Sequence, residues 1–170
     1  MPPKRLELHP NESLANAAFA VSQGRQVGDG VICPCCDQKV TLYKRVIYET
    51  MTRALVILYN HAKVNGDNWL HFPSYARGKK LGTLGQGGDW AKLAFWNLIE
   101  LASGRRDDGS VRTGDARITQ EGRRFCERAH EVRRVARVYN NRLVRFEGPM
   151  IGIEDTLGKK FSYADLFPPG

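Results

Sequence analysis

From Thr50 onward, apolar side chains recur at Met51, Ala54, Leu55, Leu58 and Ala62. This i, i+3, i+4, i+7, i+11 spacing lines them along one stripe and predicts an amphipathic helix buried on one face. An earlier stripe, Leu14, Ala17, Ala18 and Val21, predicts a helix over 12–23, with Asn11 placed to cap it and Gly24 to stop it. Between the two, β-favouring residues from Val31 to Tyr43 flank Cys33-Pro34-Cys35-Cys36, which reads as a hairpin around the cysteines. Trp69-Leu70-His71-Phe72 is a short strand closed by Pro73, and a weaker helix follows through Ser74 to Leu81. Five glycines between Gly78 and Gly88 mark a turn before Asp89, an N-cap for a short helix from Trp90 to Trp96.

Asn97 stands where a left-handed residue closes the last helical turn, and an extended Leu98-Ile99-Glu100 follows. A charged loop, Ser103 to Asp115, leads into a strand at Ala116-Arg117-Ile118, after which Thr119 can cap a further helix. That helix is read as long enough to hold the stripe Phe125, Ala129, Val132 and to set Cys126 and His130 four residues apart on one side. Arg137 to Val144 reads as a hairpin turning at Asn140-Asn141, and Ser162 with Asp165 forms a capping-box-like pair for a short terminal helix. The fold class is α+β.

The run helix, strand, charged hairpin, strand, helix resembles the winged helix-turn-helix family, particularly the wing of MarR-like regulators. The residues that carry the likeness are Asn97-Leu98-Ile99-Glu100, Arg106-Asp107-Asp108-Gly109 and Ile118-Thr119-Gln120-Glu121-Gly122-Arg123, covering roughly 50–135. The chain is also similar to small phage-type proteins that place a Cys-Pro-x-Cys knuckle ahead of such a domain. The resemblance implies three segments: an N-terminal helix and zinc-knuckle hairpin over 1–44, a winged helix domain over 45–135, and a C-terminal hairpin with a terminal helix packed on it over 136–170. It also implies double-stranded DNA as partner. Two departures stand out: the third helix offers only Lys92 as a charge, and no long C-terminal dimerisation helix is present. A homodimer is compatible with the sequence but not indicated by it.

Charge supports a polyanionic partner. Twenty-six Lys and Arg against 18 Asp and Glu give +8, and residues 45–135 alone hold 16 basic and 10 acidic side chains. Nine arginines fall between Arg105 and Arg134. At the wing, Arg105, Arg106, Arg112 and Arg117 are candidates for phosphate or minor-groove contact, and Arg77, Lys79, Lys80 and Lys92 form a second phosphate-facing set. The arginines beyond the wing read better as a solvated helix face with i,i+4 partners. Trp69, Trp90 and Trp96 are read as packing residues rather than base-stacking ones.

Cys33 and Cys36 have the Cys-x-x-Cys spacing with which a tight turn offers two thiolates to one Zn²⁺, giving half of a tetrahedral site. Cys126 and His130 are the candidate second half, and the zinc would be structural. Cys35 could replace either outer cysteine, and a buried metal-free turn or a redox pair are the other readings of the cluster. His61 and His71 are reserve ligands only.

Enzyme signatures are negative. The glycine stretch lacks the ending of a phosphate-binding loop, and His130 abuts Glu131 where a zinc deaminase needs His-x-Glu. The chain therefore reads as non-enzymatic, with a metal-dependent nuclease as the remaining catalytic alternative. The longest apolar run, Ala54 to Tyr59, is far below the ~20 residues of a membrane span, and no apolar stretch follows the N-terminal basic residues. Together with clustered rather than distributed cysteines, this suggests the cytoplasm. The sequence thus points to a small transcriptional or mobile-element regulator; the alternative is a phage-type adaptor that uses the winged helix to dock on a host protein.

Overall fold

The computed structural model describes residues 3–7, 13–24, 30–85, 87–104 and 112–157. In chain order these form β1 (Lys4–Arg5), α1 (Leu14–Gly24), β2 (Val31–Ile32), β3 (Lys39–Val40), β4 (Tyr43–Val46) and α2 (Glu49–Asn65). Next come β5 (Leu70–His71), α3 (Phe72–Gly78), two 3-10 helices (Gly82–Gly85 and Trp90–Trp96), β6 (Ile99–Ser103) and β7 (Arg112–Ile118). The remainder is α4 (Gln120–Cys126), β8 (Val132–Tyr139), β9 (Arg142–Ile151) and α5 (Ile153–Leu157). Helix and strand are mixed throughout. The chain divides into two units, residues 1–44 with 137–145 and residues 45–136 with 146–170. One of the three sheets is ordered β4-β8-β9.

In the first unit β2 pairs parallel with β1 and antiparallel with β3, Val31 lying opposite Val40. Gly30 enters β2 at φ +84, where a side chain would run into the Val40 carbonyl, so the close strand approach demands glycine. The first helix begins at Leu14 rather than 12, and its cap is Ser13, whose Oγ accepts from the Asn16 N–H at 3.2 Å; Asn11 lies outside the described residues. Its buried face is narrower than the stripe predicts: Ala17 is buried, Val21 half-buried and Ala18 exposed.

The core of the second unit is built around α2, whose Met51, Ala54, Leu55, Leu58 and Ala62 are all buried, as the spacing predicts. Phe72, Leu93, Trp96, Leu98 and Phe125 belong to the same core, as do Ile153 and Leu157 of α5. Inside it, Thr52 Oγ1 donates to Thr156 Oγ1 at 2.8 Å, and Thr156 Oγ1 donates onward to the Ile153 carbonyl at 2.6 Å, so two buried hydroxyls satisfy each other. The accompanying sheet is ordered β5-β7-β6. Its antiparallel register sets Leu70 opposite Ala116 and Glu100 opposite Arg117.

Three helices end in the same way. Leu81, Leu98 and Ala129 each donate a backbone N–H to the carbonyl five residues back, and the preceding Lys80, Asn97 and Arg128 sit at positive φ. This is the Schellman closure, and only at Asn97 is it made by a residue that commonly adopts that conformation. The Arg128 closure corrects the expected long helix: α4 stops at Cys126 and the chain continues into β8. Arg133 and Arg134 are therefore strand residues. Cys126 and His130 do not share a helix.

The hairpin turning at Asn140-Asn141 joins β8 to β9, both asparagines lying at positive φ as a two-residue hairpin loop requires. Ser162 and Asp165 lie outside the described residues. A helix that the sequence pattern does not predict, α5, starts earlier, with the Asp155 carboxylate accepting from the Gly152 N–H at 2.8 Å.

Candidate functional site

The sequence-predicted basic residues of the second unit separate into two groups once their partners are known. Arg77, Lys79 and Lys80 close α3 and are all exposed. The Schellman turn holds the Lys80 backbone at φ 54, and the Lys79 ammonium lies 6.0 Å from the Tyr75 ring centroid. None of the three is in an ion pair among the described residues. The helix itself is started by His71, whose Nδ1 accepts from the Ser74 N–H, with Pro73 in the first turn. His71 thus acts as a cap, and His61 packs edge-on against Tyr75.

Lys92 is engaged internally. The 3-10 helix from Trp90 to Trp96 buries Trp90, Ala91, Leu93 and Trp96, and Lys92 Nζ is bonded to the Asp89 carboxylate. Asp89 occupies the predicted N-cap position, but its backbone is already helical there and its side chain caps nothing. Instead it accepts from Lys92 and from the Tyr48 hydroxyl. The Lys92 hydrogen bond, followed by that of Tyr48, holds the Asp89 carboxyl below the ordinary carboxylate range. Burial, then the neighbouring Asp89 carboxylate, pushes the Tyr48 phenol up. The sequence signal for this site was the i,i+3 pair Asp89 and Lys92; nothing nearby in sequence marked Tyr48.

Arg117 is likewise committed. Its Nε and guanidinium nitrogen reach Glu100 Oε2 at 2.8 and 2.7 Å, and the guanidinium lies 4.6 Å from the centroid of the half-exposed Trp69 ring. Glu100 could have been found from the cross-strand register, which sets it opposite Arg117. Trp90 packs on Phe72 at 4.8 Å, and the Trp96 indole N–H donates to the Arg133 carbonyl, so both are packing residues, as expected. Arg105 and Arg106 lie outside the described residues, and Arg112 is placed in β7 by its backbone.

In the first unit, Cys33 ends β2 and its carbonyl accepts from the Asp37 N–H at 3.0 Å, while its own N–H donates to the Gln38 carbonyl at 2.9 Å. Asp37, at φ 56, takes the left-handed position of this tight turn and pairs with Arg5 at 2.8 Å. The backbone N–H groups of Cys35 and then Cys36 are directed at the Cys33 thiol and pull its pKa down, with a further contribution from the Cys36 side chain. Cys35 is pushed up, first by desolvation and then by the Cys33 charge. Cys33 and Cys36, with Val21, Gln38, Tyr43 and Tyr139, line an open cleft of about 430 Å³.

No family model, curated protein or solved structure matches this chain. The chemistry must therefore be read from its own side chains. Among the described residues, no three His, Cys, Asp or Glu side chains come together as a metal group. Cys126 is fully buried in the core of the second unit, where burial, then the Glu127 charge, pushes its thiol far up. The turn at Arg128 removes the helical spacing that paired it with His130. No helix among the described residues is long and apolar enough to cross a membrane.

Proposed function

We propose that this chain is a winged helix-turn-helix protein that binds double-stranded DNA mainly through phosphate contacts, as a small transcriptional or mobile-element regulator. The observation that carries the reading is the path through the second unit. Helix, strand, helix, two 3-10 helices and two strands follow one another, with the sheet ordered β5-β7-β6. Arg77, Lys79 and Lys80 give this unit an exposed cationic edge, and the sequence between β6 and β7 adds Arg105 and Arg106. Cations of this kind position a protein on the duplex without reading bases. The third helix, with Lys92 bound to Asp89, contributes little to base readout.

A salt series of duplex binding tests the reading. Affinity should fall steeply with salt, and Arg77→Ala, Lys79→Ala and Lys80→Ala together should reduce the slope of log K against log salt by about 0.9 for each phosphate no longer neutralised. Binding that is flat with salt, or indifferent to this triple variant and to its Arg105, Arg106 and Arg112 counterpart, would overturn it. The second reading, a protein-docking adaptor, is favoured by the same neutralised Lys92, and it predicts weak, sequence-blind duplex binding with tight capture of a protein partner.

A further inference from the structure

We infer that Cys33 and Cys36 form a redox-active dithiol that exchanges with small disulfides, Cys33 attacking and Cys36 resolving. The Asp37 N–H closing on the Cys33 carbonyl folds this turn back on itself, and the Cys36 side chain reaches the Cys33 thiol. Two thiols already in contact across a tight turn need only side-chain rotation to become bonded. Both also stand on the wall of the open cleft, Cys33 half-buried and Cys36 exposed, so a small disulfide has a way in. The backbone N–H groups of Cys35 and Cys36 are directed at Cys33 Sγ, where they stabilise negative charge as that sulfur attacks and as it is later displaced. Cys35 touches Cys33 as well, but its contact is the weaker of the two, and the cleft wall is formed by Cys33 and Cys36.

The exchange runs in two steps. Cys33, its proton given to solvent, attacks one sulfur of R–S–S–R; the Cys33 Sγ–S–R bond forms, the S–S bond of the reagent breaks, and the first thiolate leaves and takes up a proton. Cys36 then loses its proton and attacks Cys33 Sγ, which forms the Cys33–Cys36 disulfide and expels the second R–S⁻ as a thiol. The two cysteines are oxidised by two electrons together and the reagent is reduced to two thiols. Such a pair reports the ratio of small disulfides to thiols around it. The inference does not rest on the DNA-binding reading.

The test treats the reduced full-length chain with oxidised glutathione, alkylates the remaining thiols after a denaturing quench, and reads the products by mass. The chain should lose two of its four alkylatable thiols without retaining glutathione, and reductant should restore both. In the wild-type chain, fragmentation of the tryptic segment 26–39, which holds Cys33, Cys35 and Cys36, should place the one alkylated thiol on Cys35. The native chain should react faster than the chain unfolded in urea, because only the fold directs the two N–H groups at Cys33. Cys35→Ser should keep the disulfide, and Cys35→Ser with Cys36→Ser should stop at glutathione bonded to Cys33. Alkylation found on Cys36, a native rate no faster than the unfolded one, thiols that stay reduced, or zinc retained on the pair of the purified chain with both thiols unreactive would each overturn the inference.

Discussion

Thr119 joins two segments through one hydroxyl. Its Oγ1 donates to the Asn97 carbonyl at 2.6 Å and accepts from the Gly122 N–H at 3.0 Å, so the exit of the 3-10 helix and the start of α4 are fixed to each other. Gly122 permits this approach, since a side chain there would overlap the Leu98 carbonyl. Thr119→Ala should cost about 1–2 kcal/mol in denaturant unfolding, and Thr119→Ser, which keeps the hydroxyl, should recover most of it. Asp89 makes a pH-dependent prediction. Its folded pKa is depressed, so its contribution is present above the ordinary carboxylate pKa of about 3.9 and is lost as pH falls through the lower folded value. Asp89→Asn should therefore lower the melting temperature at neutral pH, and the gap should close in strong acid. An unchanged gap across that range would show that the carboxylate charge is not what matters.

At the scale of elements, α5 is short but not peripheral. Ile153 and Leu157 are each 1% exposed, and Thr156 satisfies the buried Thr52 hydroxyl of α2. Ile153→Ala and Leu157→Ala should each cost about 2–5 kcal/mol, read from chemical denaturation, because each leaves a cavity in the central core. The position of this helix was not legible in the sequence, since Ile-Glu-Asp-Thr-Leu is too brief for a period to show. α2 was legible because seventeen residues repeat its stripe, and Asn97 and Thr119 because their side chains carry specific turn and cap geometry. The end of α4 was not, because its left-handed residue is Arg128, a type that gives no such signal. The candidate cations were visible as residue types. Lys92 was separable from Arg77, Lys79 and Lys80 by its i,i+3 partner Asp89, whereas what set Arg117 apart was the tertiary placement of Glu100 and Trp69, which no local pattern encodes.

For the whole molecule, the charge excess belongs to residues 45–135, which carry 16 basic and 10 acidic side chains, and the cysteine cluster belongs to the nearly neutral segment ahead of them. Each unit is also assembled from two stretches of chain, the first from 1–44 and 137–145. This has a consequence for biosynthesis. At about 5–20 residues per second, residues 137–145 leave the ribosome on the order of 5–20 s after Lys44, so the N-terminal stretch waits without its closing hairpin while the intervening segment is made. During that interval Cys33, Cys35 and Cys36 belong to an incomplete unit, and their protection falls to the reductants and chaperones of the cell.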